Sequence, residues 1–308
     1  MMLLNQKKSR EKGMALLLVL VTVMALVLII GSLWEASQPG WEENDLDRIR
    51  YKAGLLAESG FALALHPEIE PGDLALQQGF GPEQEIRVLI TSEGGRIPVN
   101  RLGDERWRDA IVELLVLWGL DAANASIATD SLADWIDTDN EMLSNGAENA
   151  FYSGLERPEF PTNLPFTSLE QMLFVQGMDE VARFQPMWRD YFTIHSDELL
   201  DLNTAEWEVI YAITGTTEDA AMNFAAVRNG NDGIRGTVDD YRFEDLGEVQ
   251  ALLGLSDDEL SEFSDLIALD STVMRIESQG RYGDHSETRV MLARQTDNGW
   301  SPLARFRN

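Results

Sequence analysis

An uncharged run near the start limits this chain most. Met14–Trp34 reads MALLLVLVTVMALVLIIGSLW, with Thr22 and Ser32 as its only hydroxyls. About 20 apolar residues suffice to cross a bilayer as a helix, and a cleaved secretory signal has a shorter apolar stretch. The length therefore favours a retained membrane helix. Residues 1–13 carry Lys7, Lys8, Arg10 and Lys12 against Glu11, and acids come after the run. That asymmetry predicts a single membrane pass, with residues 1–13 in the cytoplasm and the rest of the chain outside it.

The chain holds 24 Lys plus Arg against 53 Asp plus Glu, a net charge of −29. Because the leader is basic, the body is still more acidic. It repels phosphate backbones and favours divalent cations, which argues against nucleic acid as a partner. There is no cysteine, so thiol catalysis, disulfides, zinc–thiolate and iron–sulfur sites are excluded. No P-loop, HExxH or GxSxG motif occurs, and His66, His195 and His285 are far apart in sequence. Paired carboxylates could serve glycoside hydrolysis, but in so acidic a chain every such pair is explained by abundance. The expected class is non-enzymatic.

Gly13 stands directly before the apolar run. This junction resembles prepilin leaders, which are cut on the cytoplasmic side so that the mature chain begins with a hydrophobic residue, here Met14. After Pro39-Gly40, the positions Leu46, Ile49, Ala53, Leu56, Gly60 and Leu63 recur at spacings of three and four. That spacing predicts an amphipathic stalk helix within 35–66. A membrane helix running into such a stalk is the shape of a type IV pilin-like subunit. Those subunits carry Glu at the fifth mature position. Here that position is Leu18, as suits a tip subunit with no neighbour above to pair a costly intramembrane carboxylate.

Further on, Ile86–Thr91 and Arg96–Asn100 read as strands of a hairpin around Glu93-Gly94-Gly95. Helices are predicted over Asp104–Leu120, about Ser126–Asp137, Leu169–Gln176, about Asp179–Asp190, Thr204–Thr214, Glu218–Arg228, Leu246–Leu253 and Asp257–Ala268. Thr138–Thr167 reads mostly as loop. Val273–Glu277, Arg289–Arg294 and Leu303–Phe306 read as closing strands. Strands near both ends with helices between suggest α+β. The expected layout is a first part of the sheet in 67–100, an all-helical insertion in 101–269, and closing strands in 270–308.

Several blocks resemble one family, the minor pseudopilin of type II secretion called general secretion pathway protein K. They are the Gly13–Met14 junction, Leu18, SLADWIDTDNEMLSNGAENAFY (Ser131–Tyr152), TSLEQMLFVQGMD (Thr167–Asp179) and LDLNTAEWEVIYAITG (Leu200–Gly215). The resemblance implies a pseudopilin fold with a helical insertion, a single-pass inner-membrane anchor with the C-terminal domain in the periplasm, and a place at the pseudopilus tip. It implies minor pseudopilins I and J, other pseudopilins and the inner-membrane assembly platform as partners. It also implies cleavage between Gly13 and Met14 by prepilin peptidase, with N-methylation of Met14. Pro39-Gly40 and the long acidic segment Arg228–Leu246 depart from the family pattern. Other readings are a minor pilin of a type IV pilus and, from a different class, a membrane-anchored DNA-uptake protein.

Two loops are candidate calcium sites. The first is the run Asp134–Glu141 with Glu148, from which Asp137, Asp139, Asn140, Glu141 and Glu148 are the expected ligands. Hard oxygens at this density suit calcium, though a solvated acidic loop has the same composition. The family resemblance also implies calcium. The second is Asn229–Asp240, with Asn231, Asp232, Asp239 and Asp240 as ligands, where alternating Asn/Asp and Gly also fit a simple exposed turn. Leu202–Arg228 resembles a helix-hairpin-helix, but Glu218 and Asp219 sit where a phosphate would approach, so packing is its expected role. Trp107, Trp118, Trp135, Trp188 and Trp207 fall at helical positions and are expected in the core.

Overall fold

The computed structural model describes residues 23–24, 26–27, 46–196, 199–296 and 299–307. Gly13, Met14, Leu18 and the Pro39-Gly40 break lie outside the described residues, as does most of the apolar run. Among the described residues no helix is long and apolar enough to cross a membrane.

Helix α1 (46–64) lies on a five-stranded antiparallel sheet. Ala53, Ala57, Phe61 and Ala64 are its buried apolar positions, while Leu46 is 55% exposed. The packed face is thus rotated from the stripe that counting large apolar residues selects. Close approach of backbones explains the rotation. A Cβ at Gly280 would collide with the Ala53 carbonyl and the Ala57 amide, and one at Gly60 would meet Ser278 Oγ and Val88 Cγ2. Two polar contacts flank the interface, Lys52 Nζ to Tyr282 Oη at 2.9 Å and an Arg289–Glu58 ion pair.

The sheet starts with β1 (Gln77–Gly79) and β2 (Gln84–Ser92). Every second residue of β2, Ile86, Val88 and Ile90, is buried with Phe61 and Leu76, as a half-buried strand requires. The expected hairpin at Glu93-Gly94-Gly95 is not formed. Glu93–Gly95 is a single 3₁₀ turn, and Arg96–Asn100 shrinks to β3 (Ile97–Pro98), which leaves the sheet. The reason is burial. Ile97, Val99 and Leu102 are all 0% exposed and enter the core of the next unit.

That unit is the insertion. It runs through α2 (Glu105–Leu117), α3 (Ala122–Ile136), α4 (Asn149–Gly154), α5 (Met178–Phe184), β4 (Phe192–Thr193), β5 (Leu200–Asp201), α6 (Trp207–Thr214), α7 (Glu218–Arg228), α8 (Leu246–Leu253), α9 (Asp257–Phe263) and β6 (Ile267–Ala268). Local signals set its helix ends. Asp104, Asp121, Thr217 and Asp245 accept backbone amides as N-caps, Gly215 and Gly254 close α6 and α8 with positive φ, and Ser256 with Glu259 forms a capping box. Trp107, Trp135 and Trp188 are fully buried, whereas Trp118 and Trp207 pack at the margin.

The insertion is not all-helical. β3 pairs parallel with β4, and β5 with β6. These ladders tie segments remote in sequence and explain why the helix expected over Asp257–Ala268 stops at Phe263. The chain then returns to the sheet through β7 (Val273–Tyr282), β8 (His285–Thr296) and β9 (Gly299–Arg307), giving the order β1-β2-β7-β8-β9. Between Leu292 and Ala293 the register with β9 shifts, and Pro302, which has no N–H to donate, sits at that irregularity.

Charge is divided between the units. Residues 101–269 hold 35 of the 53 acids and 9 of the 24 basic residues. The insertion therefore carries almost all of the chain's net negative charge.

Candidate metal centre

Asp134 lies in the last turn of α3, and Asp137 is the residue that caps it. Glu148 is the N-cap of α4, at the far end of the intervening loop. The loop folds back so that one carboxylate oxygen from each of the three lies within 4.8 Å of the others. Asp134 is fully buried and Glu148 nearly so. The Asp134 carboxylate accepts the Leu143 amide at 3.2 Å, and Glu148 accepts the Asn149 amide at 3.2 Å.

Two oxygens of the cluster, Asp137 Oδ1 and Glu148 Oε1, are buried without a hydrogen-bond partner. Buried orphan acceptors are costly, and three converging negative charges make them more so. Burial, reinforced by Asp137 and Asp130, pushes the Asp134 carboxyl up to about 6. Burial likewise raises Asp137, beside Asp139, and Glu148. A hard divalent cation removes each penalty at once, and an all-oxygen donor set suits calcium. The residues present thus fit the ion that the family resemblance implies.

An aromatic floor holds the loop ends. Trp135 stacks on Phe166 at 6.0 Å and meets Tyr152 edge-on at 5.7 Å. Asn149 Nδ2 donates to the Pro158 and Phe160 carbonyls, and Asn145 to Asp130. Of the five expected ligands, Asp137 and Glu148 are brought together. Asp139, Asn140 and Glu141 are exposed. Asp139 Oδ1 accepts the Glu141 amide at 2.8 Å, which makes a local turn. Asp134, absent from the expected set, completes the cluster. Its signal is its place three residues before Asp137, on the same face of a helix end.

The second loop is arranged differently. The Asp239 carboxylate accepts the amides of Asn231 (2.7 Å) and Asp232 (3.2 Å) and the Thr237 hydroxyl (2.8 Å). These bonds, that of Thr237 foremost, hold it below the usual carboxylate range. Asp240 accepts the Gly236 amide at 2.6 Å and Asp232 the Ile234 amide at 2.7 Å. Among the described residues this loop brings no three carboxylates together as the first does.

In the α6–α7 hairpin two amides are already used. Gly215 N–H donates to the Tyr211 carbonyl and Thr216 N–H to Thr214 Oγ1. Ile210, Ile213 and Phe224 are core residues. The hairpin packs the insertion, and these two amides are not free to meet a phosphate.

Comparison with known proteins is consistent with this architecture. The family model for the type II secretion system protein K matches residues 95–186, which include the carboxylate cluster. The type II secretion system protein K of Klebsiella pneumoniae is 25% identical over 216 residues, covering 63% of this chain and 66% of that protein. Its counterpart from Dickeya chrysanthemi is 37% identical over 67 residues, covering 22% and 18%. In both cases the match spans less than two thirds of the relative's length. A chain in the crystal structure of the GspK-GspI-GspJ complex from the enterotoxigenic Escherichia coli Type 2 Secretion System has the same fold. Its TM-score is 0.59 at 17% identity, over 90% of this chain and 98% of that one. The matched family domain begins at Gly95, where the sheet hands over to the insertion, so over residues 95–186 this chain is similar to the type II secretion system protein K family.

Proposed function

We propose that this chain is a minor pseudopilin that caps the tip of a type II secretion pseudopilus, assisting its assembly and the export of folded proteins across the outer membrane. One observation carries the reading. The protein K domain is inserted between β2 and β7 of a sheet onto which a long helix is laid. The sheet and α1 form the part that can join a filament. The insertion, residues 93–272, is too bulky to repeat along a shaft and suits an end position.

The apolar run Met14–Trp34 would hold the subunit in the inner membrane before assembly and then pack into the filament core. Cleavage after Gly13 and methylation of Met14 belong to the same pathway. The chain of like fold is in complex with GspI and GspJ, which supports equivalent partners here. Calcium, held by Asp134, Asp137 and Glu148, would supply charge neutralisation and a cross-link between α3 and α4. Asp232, Asp239 and Asp240 with Asn231 form a second, weaker candidate. The role is structural rather than catalytic.

Intact mass of the membrane-extracted protein, wild type beside Gly13→Ala, tests the pathway. Loss of residues 1–13 in wild type alone supports it. A full-length wild-type mass in a processing-competent host, or a cut beyond Trp34, overturns it.

A further inference from the structure

A cavity of about 290 Å³ lies where the sheet meets the insertion. The sheet contributes Thr91, Ser92 and Glu277, and the insertion contributes Asp190, Glu206 and Arg235. Arg96 lies on the connection between the two and also lines it. Its side chain is 15% exposed, yet its nearest carboxylate oxygens, Glu93 Oε2 and Asp190 Oδ1, each stand 3.9 Å away. That is beyond hydrogen-bond reach, and among the described residues the Arg96 guanidinium has no hydrogen-bond acceptor. Burial accordingly lowers its proton affinity.

Two neighbouring donor atoms are engaged elsewhere. Thr204 Oγ1 donates to Asp201 Oδ2 at 3.1 Å, and Arg235 Nη1 is held by the Thr204 carbonyl and Glu206 Oε1 at 2.9 and 2.8 Å. Glu93 gives its oxygens to Thr193 Oγ1 and Arg275. One forked guanidinium stays open, facing a cavity whose wall also carries Asp190. A guanidinium fork matches a carboxylate in two-point geometry. Asp190, Glu206 and Glu277 repel a phosphate dianion but welcome an ammonium group. The volume is at the small end for ligand sites.

From this geometry we propose that the cavity is a binding site for a small zwitterion of the α-amino-acid type, its carboxylate on Arg96 and its ammonium towards Asp190. The source is either a free amino acid or a short peptide, and both present the same pair of charges. A ligand there bridges the sheet and the insertion. The site does not depend on the secretion role.

The test is NMR line broadening of ¹³C-carboxylate L-alanine by detergent-solubilised full-length protein, with L-alanyl-L-alanine, acetate and inorganic phosphate as competitors. Wild type is expected to broaden the signal saturably, with acetate competing weakly and phosphate failing to compete. Tighter binding of alanylalanine than of alanine identifies a peptide source, and the reverse a free amino acid. Arg96→Met is expected to weaken binding at least tenfold. Met187→Trp, at the exposed lip of the cavity, is expected to do the same by filling the mouth, and serves if Arg96→Met fails to fold. Absence of saturable broadening, equal binding by a folded Arg96→Met, or phosphate competing better than acetate overturns the proposal.

Discussion

The carboxylate of Asp134 fills the space that a Cβ at Gly146 would need. A buried acid at the end of α3 and a glycine in the following loop are thus one structural unit. The loop can close over the acid only because residue 146 has no side chain.

Gly146→Ala should therefore disturb the carboxylate cluster without touching a carboxylate. In wild type, calcium at about 100 times its dissociation constant should stabilise the fold by roughly 2.7 kcal/mol. Thermal melts in calcium against chelator should show that increment in wild type and most of it lost in Gly146→Ala. An equal calcium shift in both would show that the ion binds elsewhere.

Asp201 is 2% exposed and accepts the Asn203 amide at 3.0 Å and the Thr204 hydroxyl. Burial raises its carboxyl above the ordinary range. The folded state therefore binds a proton that the unfolded state releases, so its contribution to stability falls as pH rises from the ordinary Asp value through the raised one. Asp201→Asn keeps the volume and one of the two acceptor oxygens while removing the charge. Urea unfolding at pH 5 and pH 7 should show a smaller pH-dependent loss in Asp201→Asn than in wild type.

Gly280→Ala places a methyl group against the backbone of α1 at Ala53 and Ala57. Neither backbone atom can rotate away, so the helix must lift from the sheet. Overpacking of this kind costs about 1–3 kcal/mol, or roughly 2–12 °C in a domain of this size. Calorimetry measures the loss, and limited proteolysis should cut within 46–64 sooner than in wild type. An unchanged melting temperature and unchanged cleavage would mean that α1 is not held by close backbone approach.

Residues 101–269 carry 35 acids against 9 basic residues. Self-repulsion on that scale opposes compactness and is screened by salt over about 10 Å at 0.1 M. The melting temperature should rise from 10 to 300 mM sodium chloride in the presence of chelator. A fall over that range would show that ion pairs such as Arg106–Asp265 (2.6 Å) outweigh the repulsion.

Elements ruled by neighbouring residues are legible in the sequence alone. α7 and α8 begin and end where their periodicity places them, because Thr217, Asp245 and Gly254 act within one turn of the ends they set. The alternation in β2 likewise announces a half-buried strand. Glu93–Gly95 reads as a hairpin because the sequence shows a turn there but not where the chain goes next. Local pattern fits Ile97, Val99 and Leu102 equally to a returning strand, and only packing places them in the core of the insertion.

The candidate site divides the same way. Asp137 and Glu148 can be picked out by their density of acids. Which members of that run converge depends on how the loop closes, and closure selects the buried Asp134 over the exposed Asp139, Asn140 and Glu141.

Composition and local pattern by themselves determined an acidic α+β chain with an apolar run, an amphipathic helix after it, and an insertion rich in oxygen donors. Hydrogen bonds within a turn and periodic burial act over a few residues and are written in order along the chain. Only the tertiary structure decided which face of α1 meets the sheet, that β3 and β5 pair in parallel with strands remote in sequence, and that Arg96 stands desolvated in a cavity between two units. Those outcomes depend on close backbone approach and on removal of water between residues far apart in the chain, and no local pattern encodes either.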